Sequence, residues 1–382
     1  MLFLVHKEVI TIKKILFGIT SLTLGGAERV LVDISNKLSE KYDITIFSIY
    51  DNGELKKDLS KKVKFKSLYN CRYDELTKIQ KMWIPIKILL FSKIIYNKKI
   101  KQDYDTEIAF LEGPITRLFS TRNKNTHKIV WIHNDIEKVF GNDFKSKIKK
   151  YIDKNIYKKY NDLVFVSKDN MDKFQNVYNN LNVENMHVIY NYIDKDLVIK
   201  KSNVNINIEL DQNVTNLLTV CRLVKQKAID RFIRVHSKLI KQGLKHKVYI
   251  IGDGPEKSNL QDLIKQENVE ETFFLLGKKE NPYPYIKNTD YFCLLSEFEG
   301  YGMVLEEAKI LNKPIIITNT AARECIKNYQ KSLILENSED EIYGGLYKLL
   351  KDNDERILNN TQANAKYDNT EKLQKIIELV GD

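Results

Sequence analysis

Short apolar runs alternate along the chain with longer segments in which apolar residues recur every three or four positions. Brief buried strands that alternate with amphipathic helices are typical of parallel sheets with crossover helices. The pattern therefore predicts the α/β class. The predicted strands are residues 14–19, 44–48, 107–111, 128–132, 163–166 and 187–190 in the first half, and 217–221, 247–251, 272–276, 291–295 and 314–318 in the second.

The two strand series are separated by a polar, Asn-rich stretch at residues 193–214 that has no clear period. Such a stretch is typical of an interdomain linker. We therefore predict a first domain at residues 1–195 and a second at 196–360, each with its own parallel sheet, with a ligand cleft between them. Residues 361–382 are predicted to form a C-terminal helix that packs back on the first domain.

Composition limits the class of protein further. The chain has 382 residues, of which 43% are hydrophobic and 30% charged, so it has enough apolar residues for folded cores. Its four cysteines lie far apart without a C-x-x-C pair, which argues against a disulfide framework or a zinc knuckle and favours a reducing cytoplasm. The N-terminal run 1–5 lacks the features of a signal peptide, and Pro85, Lys87 and Lys93 interrupt the longest apolar stretch, so neither export nor a membrane span is predicted.

Positive charge is concentrated in the first half. Residues 1–195 carry 35 Lys and Arg against 23 Asp and Glu, whereas the remainder carries 27 against 28. This excess favours an anionic partner, which can be a phosphate compound, a nucleic acid or an acidic bilayer surface. Residues 82–101 and 145–159 combine lysines with large apolar side chains; they are predicted either to lie on an anionic membrane or to cover the sheet as ordinary amphipathic helices.

Candidate chemistry in the second half follows the ends of predicted strands. Gly300, Tyr301 and Gly302 form a turn into a helix, where free backbone amides suit a phosphate, and Glu299 and Glu307 bracket that turn. An exposed acidic helix start is the simpler interpretation of these carboxylates. Arg222 and Lys227 converge after an earlier strand and suit a diphosphate, although a solvated basic loop has the same composition. The loop that contains Gly252 and Gly254 is predicted at the same sheet edge.

Candidate residues in the first half also follow strands. Gly25 and Gly26 allow close backbone approach to a diphosphate, as an ordinary strand-to-helix turn also would. His133 ends a strand and is predicted to face the cleft, with Asn134 beside it. Glu112, Arg117 and Asn134 are predicted on the acceptor side of that cleft.

Several other functions fit less well. The run after Gly252 lacks the third glycine of a dinucleotide-binding loop, and Asp103 with Asp105 leads directly into a strand rather than onto a metal-binding loop, so we assign neither a nicotinamide cofactor nor a metal. No nucleic-acid-binding motif accompanies the basic charge, so no nucleic acid is expected as a partner. A basic nucleic-acid-binding or membrane-binding protein without transferase activity stays as the alternative.

Taken together and in order, these residues resemble the retaining GT-B glycosyltransferases of the GT4 type, the glycosyl transferases group 1. The shared motifs are an E-x7-E element at Glu299 and Glu307, R-x4-K at Arg222 and Lys227, a G-x-G-P loop at Gly252–Pro255, and G-G-A-E-R at 25–29. The resemblance covers nearly the whole chain. It departs at Ala228, where glycine is usual, and at Glu306, where an apolar residue is common and where we expect a solvent-facing side chain.

The resemblance implies two Rossmann-like domains that face each other across a cleft. It also implies donor-phosphate contacts by Arg222 and Lys227, ribose contact by Glu307, and donor-sugar contact by Glu299 with the 300–302 amides. Gly25 and Gly26 would lie near the donor phosphates and His133 near the transferred sugar. Arg222, Lys227, Glu299 and His133 would be the catalytic residues.

The function implied is that of a hexosyltransferase. It would move a sugar from a nucleoside diphosphate sugar, taken as UDP-linked, to a hydroxyl of a lipid-linked or oligosaccharide acceptor, with retention and without a metal or other cofactor. The setting would be synthesis of a bacterial surface polysaccharide such as capsule. The enzyme would be cytoplasmic, with peripheral contact to the inner face of the cell membrane.

Overall fold

The computed structural model describes residues 12–381 apart from 52, 74, 101–102, 122–124, 140–143, 180, 182–184, 206–209, 212 and 353–368. The apolar run 1–5, Lys101 and the 361–368 part of the predicted C-terminal segment lie outside the described residues. The chain divides into two compact units, Met1–Tyr192 with Asn369–Asp382, and Ile193–Asp368.

The first unit is built on a seven-stranded parallel sheet in the order β3-β2-β1-β4-β5-β6-β7. Its elements are β1 (Lys14–Ile19), α1 (Gly26–Leu38), β2 (Asp43–Tyr50), β3 (Lys64–Tyr69), α2 (Lys78–Lys99), β4 (Thr106–Ala109), α3 (Pro114–Phe119), β5 (His127–Ile132), α4 (Ile136–Val139), α5 (Phe144–Tyr157), β6 (Asp162–Phe165), α6 (Lys168–Val177) and β7 (Asn185–Val188). The central strands are mostly apolar and buried, as expected for a sheet covered by helices on both faces, and their buried charges Glu107 of β4 and Lys128 of β5 pair with each other.

The second unit is built on a six-stranded parallel sheet in the order β10-β9-β8-β11-β12-β13. Its elements are α7 (Lys195–Ser202), β8 (Thr215–Val220), α8 (Ile229–Lys241), β9 (His246–Ile251), α9 (Lys257–Gln266), β10 (Phe273–Gly277), α10 (Tyr283–Asn288), β11 (Tyr291–Leu294), α11 (Met303–Ile310), β12 (Ile315–Thr318), α12 (Arg323–Ile326), β13 (Ser332–Leu335) and α13 (Glu339–Asp352). The predicted α/β class is confirmed in both halves.

The predicted linker is wrong in its first part. Asp194 caps α7 by accepting a hydrogen bond from the backbone amide of Leu197, and Val198 is buried against the second unit. Asn281 fixes the other end of the helix by donating to the carbonyl of Lys201 at 2.9 Å. Residues 195–202 are thus part of the second unit rather than a linker.

The C-terminal helix α14 (Thr370–Gly381) is grouped with the first unit although it follows the second in sequence. Its Ile376 and Val380 are fully buried, and Thr106 of β4 donates to the carbonyl of Val380. The chain therefore crosses between the units twice.

In each sheet the first three strands of the chain are added toward one edge and the later strands toward the other edge, so there is one switch point. It lies between β1 and β4 in the first sheet and between β8 and β11 in the second. Loops that leave the carboxyl ends of two such strands run to opposite sides and leave a crevice between them, which is where open α/β sheets bind ligands. The candidate residues of both halves follow these strands or their neighbours.

Candidate functional site

The second switch point brings two predicted loops into contact. The loop after β8 carries Arg222 and Lys227, and the loop after β11 carries Glu299 and the turn into α11. The Lys227 ammonium contacts Oε1 of Glu299, and both side chains are largely buried. Arg222 is exposed at the start of the same β8 loop. A cation and a carboxylate that the sequence places 72 residues apart are thus neighbours.

The glycines of the β9 loop explain how the β8 loop is fixed. Leu223 donates to the carbonyl of Asp253 at 2.9 Å, and Glu256 donates back to that of Leu223 at 3.1 Å. A side chain on Gly252 would meet the Cys221 carbonyl oxygen at 1.8 Å, and Gly252 has a φ of 150° that favours glycine. Close packing of the two loops therefore accounts for Gly252 and also for Gly254, which approaches Leu223 in the same way.

Ala228 has a left-handed backbone, with φ of 48° and ψ of 38°, directly before α8. It is also buried. This conformation is strained for a residue with a Cβ and free of strain for glycine, which is the usual residue of the resembled family here. The left-handed turn that follows Lys227 is thus kept in this chain although alanine stands at position 228.

The segment that carries Glu299 is held from several sides. Gln226 donates its side-chain amide to the Phe298 carbonyl at 2.9 Å, and Arg231 donates to that of Leu295 at 2.8 Å. Ser296, which is fully buried, donates its hydroxyl to Glu299 Oε1 at 2.9 Å. These bonds position the carboxylate before any ligand arrives, which is the arrangement that catalytic electrostatics requires.

The turn into α11 contains Gly300 and Gly302 as predicted, and Gly302 has φ of 70° and ψ of 68°. Tyr301 between them is buried, and its hydroxyl donates to Glu306. Glu306 also pairs with Lys309 at 3.2 Å and is 1% exposed. The expectation that Glu306 faces solvent is therefore wrong, because its carboxylate is drawn inward by a tyrosine hydroxyl and an ammonium group.

Glu307 lies one residue further along α11 and is only partly buried. The hydroxyl of Tyr283, at the start of α10, donates to Glu307 Oε1 at 3.2 Å. A carboxylate has several acceptor positions, so this contact leaves capacity for further hydroxyl donors.

In the first unit, Gly25 caps α1 and Gly26 begins it. The Glu28 carboxylate folds back over this helix start. It lies so close that a Cβ atom added to Gly25 would be 2.2 Å from Glu28 Oε2. Burial raises the pKa of Glu28. The position at which an anion would meet the helix amides is thus covered by a carboxylate of the same helix.

The His133 loop follows β5 and is tied to the loop after β4. Glu112 accepts from the backbone amides of His133 at 2.6 Å and Asn134 at 2.8 Å, and from the Asn134 side chain at 2.8 Å. The His133 ring packs 4.8 Å from that of Phe110, and its buried Nε2 has no hydrogen-bond partner among the described residues. Burial lowers the pKa of His133 to about 3, so its imidazole is neutral at physiological pH.

Arg117 has a different environment from the other residues predicted on the acceptor side. It lies on α3, and its guanidinium donates to Asp153 of α5 at 2.9 and 3.3 Å. Both partners are largely buried, so the pair joins two helices of the same layer. Glu112 and Asn134 are brought together with His133, whereas the polar contacts of Arg117 join α3 to α5.

Sequence reasoning missed four side chains of these sites. Ser296, Tyr283 and Glu306 contact predicted residues, and Gln226 contacts the carbonyl of Phe298, the neighbour of Glu299. Ser296 lies three residues before Glu299, and Glu306 lies five residues after Tyr301, so their spacing was available as a signal. Tyr283 belongs to a distant helix, and nothing in the sequence indicates its contact with Glu307.

Comparison with known proteins gives one family and a consistent set of relatives. The family model described as Glycosyl transferases group 1 matches residues 200–368. The chain is 28% identical over 350 residues, 87% of this chain and 89% of the other, to N-acetylgalactosamine-N,N'-diacetylbacillosaminyl-diphospho-undecaprenol 4-alpha-N-acetylgalactosaminyltransferase of Campylobacter jejuni. It is 26% identical over 310 residues, 80% of each chain, to the O-antigen biosynthesis glycosyltransferase WclY of Escherichia coli.

Among solved structures, Anabaena HepE in complex with UDP and glucose superposes with a TM-score of 0.72. The alignment covers 97% of this chain and 99% of that one at 15% identity. At this identity the likeness concerns the fold, which is the two-sheet arrangement described above.

Proposed function

Because the chain is a glycosyltransferase with the GT-B fold and carries the group 1 family region at residues 200–368, we propose that it transfers a hexose from a UDP-sugar to a hydroxyl of a lipid-linked or oligosaccharide acceptor. The observation that carries this proposal is the contact of Lys227 with Glu299 at the switch point of the second sheet. A phosphate-binding cation and a sugar-binding carboxylate that touch define where the bond between donor sugar and diphosphate would lie.

The second unit binds the donor in this proposal. Arg222 and Lys227 contact the diphosphate, and Glu307 accepts from the ribose hydroxyls. Glu299 and the amides of Gly300–Gly302 hold the sugar, and the buried Tyr301 supports that turn through Glu306. The Glu299 carboxylate neutralises the Lys227 ammonium in the protein itself. The diphosphate of the donor would add its negative charge beside this pair.

The chemical step consists of departure of the nucleoside diphosphate and attack by the acceptor oxygen. Negative charge grows on the leaving phosphate, and Arg222, Lys227 and the turn amides stabilise it without a metal or other cofactor. The bond between the anomeric carbon and the phosphate oxygen breaks, and the new bond to the acceptor oxygen forms on the same face. Because the new bond forms on the face that the phosphate leaves, the configuration is retained without a protein nucleophile. The leaving phosphate takes the acceptor proton.

The first unit contributes the residues on the acceptor side. The neutral His133 contacts the transferred sugar, and Glu112 with Asn134 fixes the loop that presents it. Arg117 supports this side indirectly in the proposal, because its pair with Asp153 joins α3, which follows the Glu112 loop, to α5. Gly25 and Gly26 approach the donor phosphates, which requires the Glu28 carboxylate to leave the start of α1.

The acceptor class rests on the relatives. The Campylobacter relative is named for a diphospho-undecaprenol acceptor and an alpha linkage, and the Escherichia relative for O-antigen biosynthesis. We propose by analogy a lipid-linked acceptor in the synthesis of a bacterial surface polysaccharide such as capsule. Such an acceptor places the enzyme in the cytoplasm, in peripheral contact with the anionic inner face of the membrane. Among the described helices none is long and apolar enough to cross a bilayer.

The proposal is tested with purified protein, radiolabelled UDP-sugars and polyprenyl-diphosphate-linked mono- and oligosaccharides. Transfer of label into the organic-extractable acceptor, with an anomeric configuration by NMR that matches the donor, is expected for one UDP-sugar. A product of opposite configuration would overturn retention. Absence of both transfer and UDP-sugar hydrolysis with every donor and acceptor would overturn the function.

A further inference from the structure

Helix α2 has two apolar faces. Ile84, Ile88 and Tyr96 are buried in the core of the first unit. A second apolar stripe lies on the outside and continues past a kink at Phe91, where the backbone is not helical. Its side chains are between 39% and 67% exposed: Ile79, Met82, Trp83, Ile86, Leu90 and Ile94. A helix that only covers a sheet needs one apolar stripe and keeps polar residues on the other face. The outer stripe therefore has no role in the fold of the first unit itself.

The exposed apolar residues form a cluster rather than scattered positions. Phe91 continues the outer stripe at 49% exposure, and Tyr73 lies just before the helix at 46%. Single exposed apolar residues are ordinary on protein surfaces, whereas contiguous patches mark interaction sites. The stripe is such a patch.

The charge of α2 indicates the partner. The helix carries six lysines and no acidic residue. Lys87 and Lys93 are exposed beside the outer stripe. Large apolar side chains flanked by lysines are the composition of helices that lie in the interface of an anionic bilayer.

A second helix extends this surface. α3 contacts both α2 and α5, so the two basic helices belong to one layer. On α5, Ile148 and Tyr151 are exposed at 46% and 70%, and Lys147 and Lys149 are exposed next to them. The same combination of apolar and basic side chains therefore occurs on both sides of α3.

An apolar groove lies beside the stripe. Its volume is 470 Å³, and Tyr69, Cys71, Trp83, Leu90 and Phe91 are among its lining residues. This volume is in the range of pockets that hold small ligands. Tyr69 ends β3, so the groove lies at the carboxyl edge of the first sheet, which is also the edge of the His133 loop. Four strand spacings separate β3 from β5, about 19 Å at the usual interstrand distance.

A second copy of the chain is a poor occupant for this face. A symmetric dimer would place the stripe against itself and would bring the lysines of one α2 against those of the other without a carboxylate on either helix. Lipid phosphates neutralise the same lysines, and lipid chains accept the apolar side chains.

We propose that the outer stripe of α2 inserts into the hydrocarbon of an anionic bilayer leaflet, with the flanking lysines on lipid phosphates and a lipid chain in the groove between Tyr69 and Phe91. This inference names the surface that makes the membrane contact of the proposed function and rests on that function for its purpose. It positions the first unit with the His133 edge beside the membrane, where a lipid-linked acceptor would enter.

Trp83 reports insertion directly. The protein has two tryptophans, of which Trp131 is fully buried and Trp83 is 56% exposed. Vesicles containing phosphatidylglycerol are expected to shift the emission of Trp83 to shorter wavelength, and lipids brominated on the chains are expected to quench it. Vesicles of phosphatidylcholine alone are expected to do much less, and added salt is expected to weaken the response.

Substitutions separate the apolar and the basic contribution. The triple change Ile79→Ser, Leu90→Ser and Ile94→Ser removes side chains that are at least 64% exposed, so folding is spared. We expect it to weaken vesicle binding at least tenfold. The matched control Ile12→Ser, Val204→Ser and Ile334→Ser removes exposed apolar residues elsewhere and is expected to leave binding unchanged.

The charge test is matched in the same way. Lys87→Gln with Lys93→Gln is expected to weaken binding roughly tenfold or more, since each lysine near an anionic surface contributes about 1 kcal/mol. Lys61→Gln with Lys62→Gln lowers the net charge of the first unit equally at exposed positions away from α2. Equal losses from both pairs would show that binding follows net charge alone and would overturn the assignment to α2.

Further outcomes also overturn the inference. They are the absence of any vesicle response in the wild type, unchanged binding by the stripe variant, and a dimer in solution that the stripe variant dissociates. The stabilisation of each sample by UDP-sugars is measured in parallel, and the stripe variant is expected to keep it. In the wild type, the absence of vesicle binding with intact UDP-sugar stabilisation would reject this inference alone, whereas vesicle binding without any UDP-sugar effect would reject the proposed function.

Discussion

Lys227 and Glu299 form a charge pair at the switch point of the second sheet, and neighbours of both residues hold it there. Gln226 and Ser296 fix the two loops, so the pair does not depend on a single contact. Because both side chains are largely removed from water, changing one of them leaves the other buried without its partner. The pair is therefore sensitive to substitution in both structure and chemistry.

Lys227→Ala is expected to lower kcat by about 10²–10³-fold, because the growing charge on the leaving phosphate loses a preorganised cation. The measurement is initial-rate kinetics of UDP-sugar turnover. Lys225→Ala removes an exposed lysine of the same loop and serves as the control, with turnover near that of the wild type. Equal turnover of the Lys227 variant and the control would remove Lys227 from the mechanism.

Ala228→Gly is expected to stabilise the protein by up to about 1 kcal/mol. Relief of the left-handed strain, roughly 1–2 kcal/mol, exceeds the added freedom of the unfolded chain, roughly 0.4–1 kcal/mol. Urea denaturation of the second unit gives the difference. Ala322→Gly is the control: Ala322 is also buried but has φ of −59°, so glycine there should destabilise. A loss of stability in both variants would contradict the strain at Ala228.

At the level of single residues, the sequence indicated which candidate side chains lie close together better than how they are held. Glu299 and Lys227 were identified by type and position, and the structure brings them into contact. Glu306 was expected in solvent, because the inward pull of Tyr301 and Lys309 depends on the turn at Gly302 and not on helical spacing alone. The folded-back carboxylate of Glu28 has the same origin in local backbone geometry.

Among the elements, all inner strands of both sheets were predicted, whereas two of the four edge strands were missed. The missed strands, β3 and β13, each lie at one edge of their sheet. β3 carries Lys64 and Lys66, and β13 is only partly buried, so neither has the continuous apolar run of a central strand. Short edge strands with polar residues discourage pairing with other chains. The same polar residues interrupt the apolar run by which a strand is recognised in the sequence. α7 was missed since it buries one apolar side chain, Val198, beside the polar Ser202, and this gives no apolar period over eight residues.

A chain of buried hydrogen bonds joins α8, β9 and the start of β10 in the second unit. His246 bonds to the Leu244 carbonyl at 2.9 Å and to His236 at 2.8 Å, and His236 bonds to Thr272 at 2.8 Å. Burial lowers the pKa of both histidines, that of His236 to about 2. Both rings are therefore neutral in the folded protein over the physiological range.

Acid is expected to unfold the second unit through these histidines. Unfolding lets each histidine bind a proton below its ordinary pKa of 6.5, so the unfolded state binds more protons and stability falls as the pH drops through that value. From pH 7 to pH 5 the loss is roughly 2 kcal/mol for His236, whose pKa lies below this range. The lowered pKa of His246 adds a loss in the same direction. Urea denaturation between pH 5 and pH 8 measures it.

The variant His236→Leu with His246→Leu is expected to flatten this pH dependence while leaving the smaller contribution of His133 in the first unit. An unchanged slope in the double variant would exclude the buried pair as its origin.

For the molecule as a whole, the alternation of strands and helices was enough to predict two parallel sheets. The strand order within each sheet was not contained in that pattern, and the two switch points follow from the order β1 next to β4 and β8 next to β11. These neighbours bring together loops that are far apart in sequence. Each set of candidate residues lies on loops at or beside such a switch point, which is where open α/β sheets bind ligands.

Donor binding by the second unit is the central claim, and isothermal titration calorimetry with UDP-sugars on the wild type, Glu307→Ala and Glu270→Ala tests it most directly. Glu307 is the proposed ribose contact, whereas Glu270 is an exposed carboxylate of the same unit. The account predicts saturable binding of one UDP-sugar to the wild type and to Glu270→Ala, and at least tenfold weaker binding to Glu307→Ala. Equal affinity of all three proteins, or no UDP-sugar bound by the wild type, would contradict it.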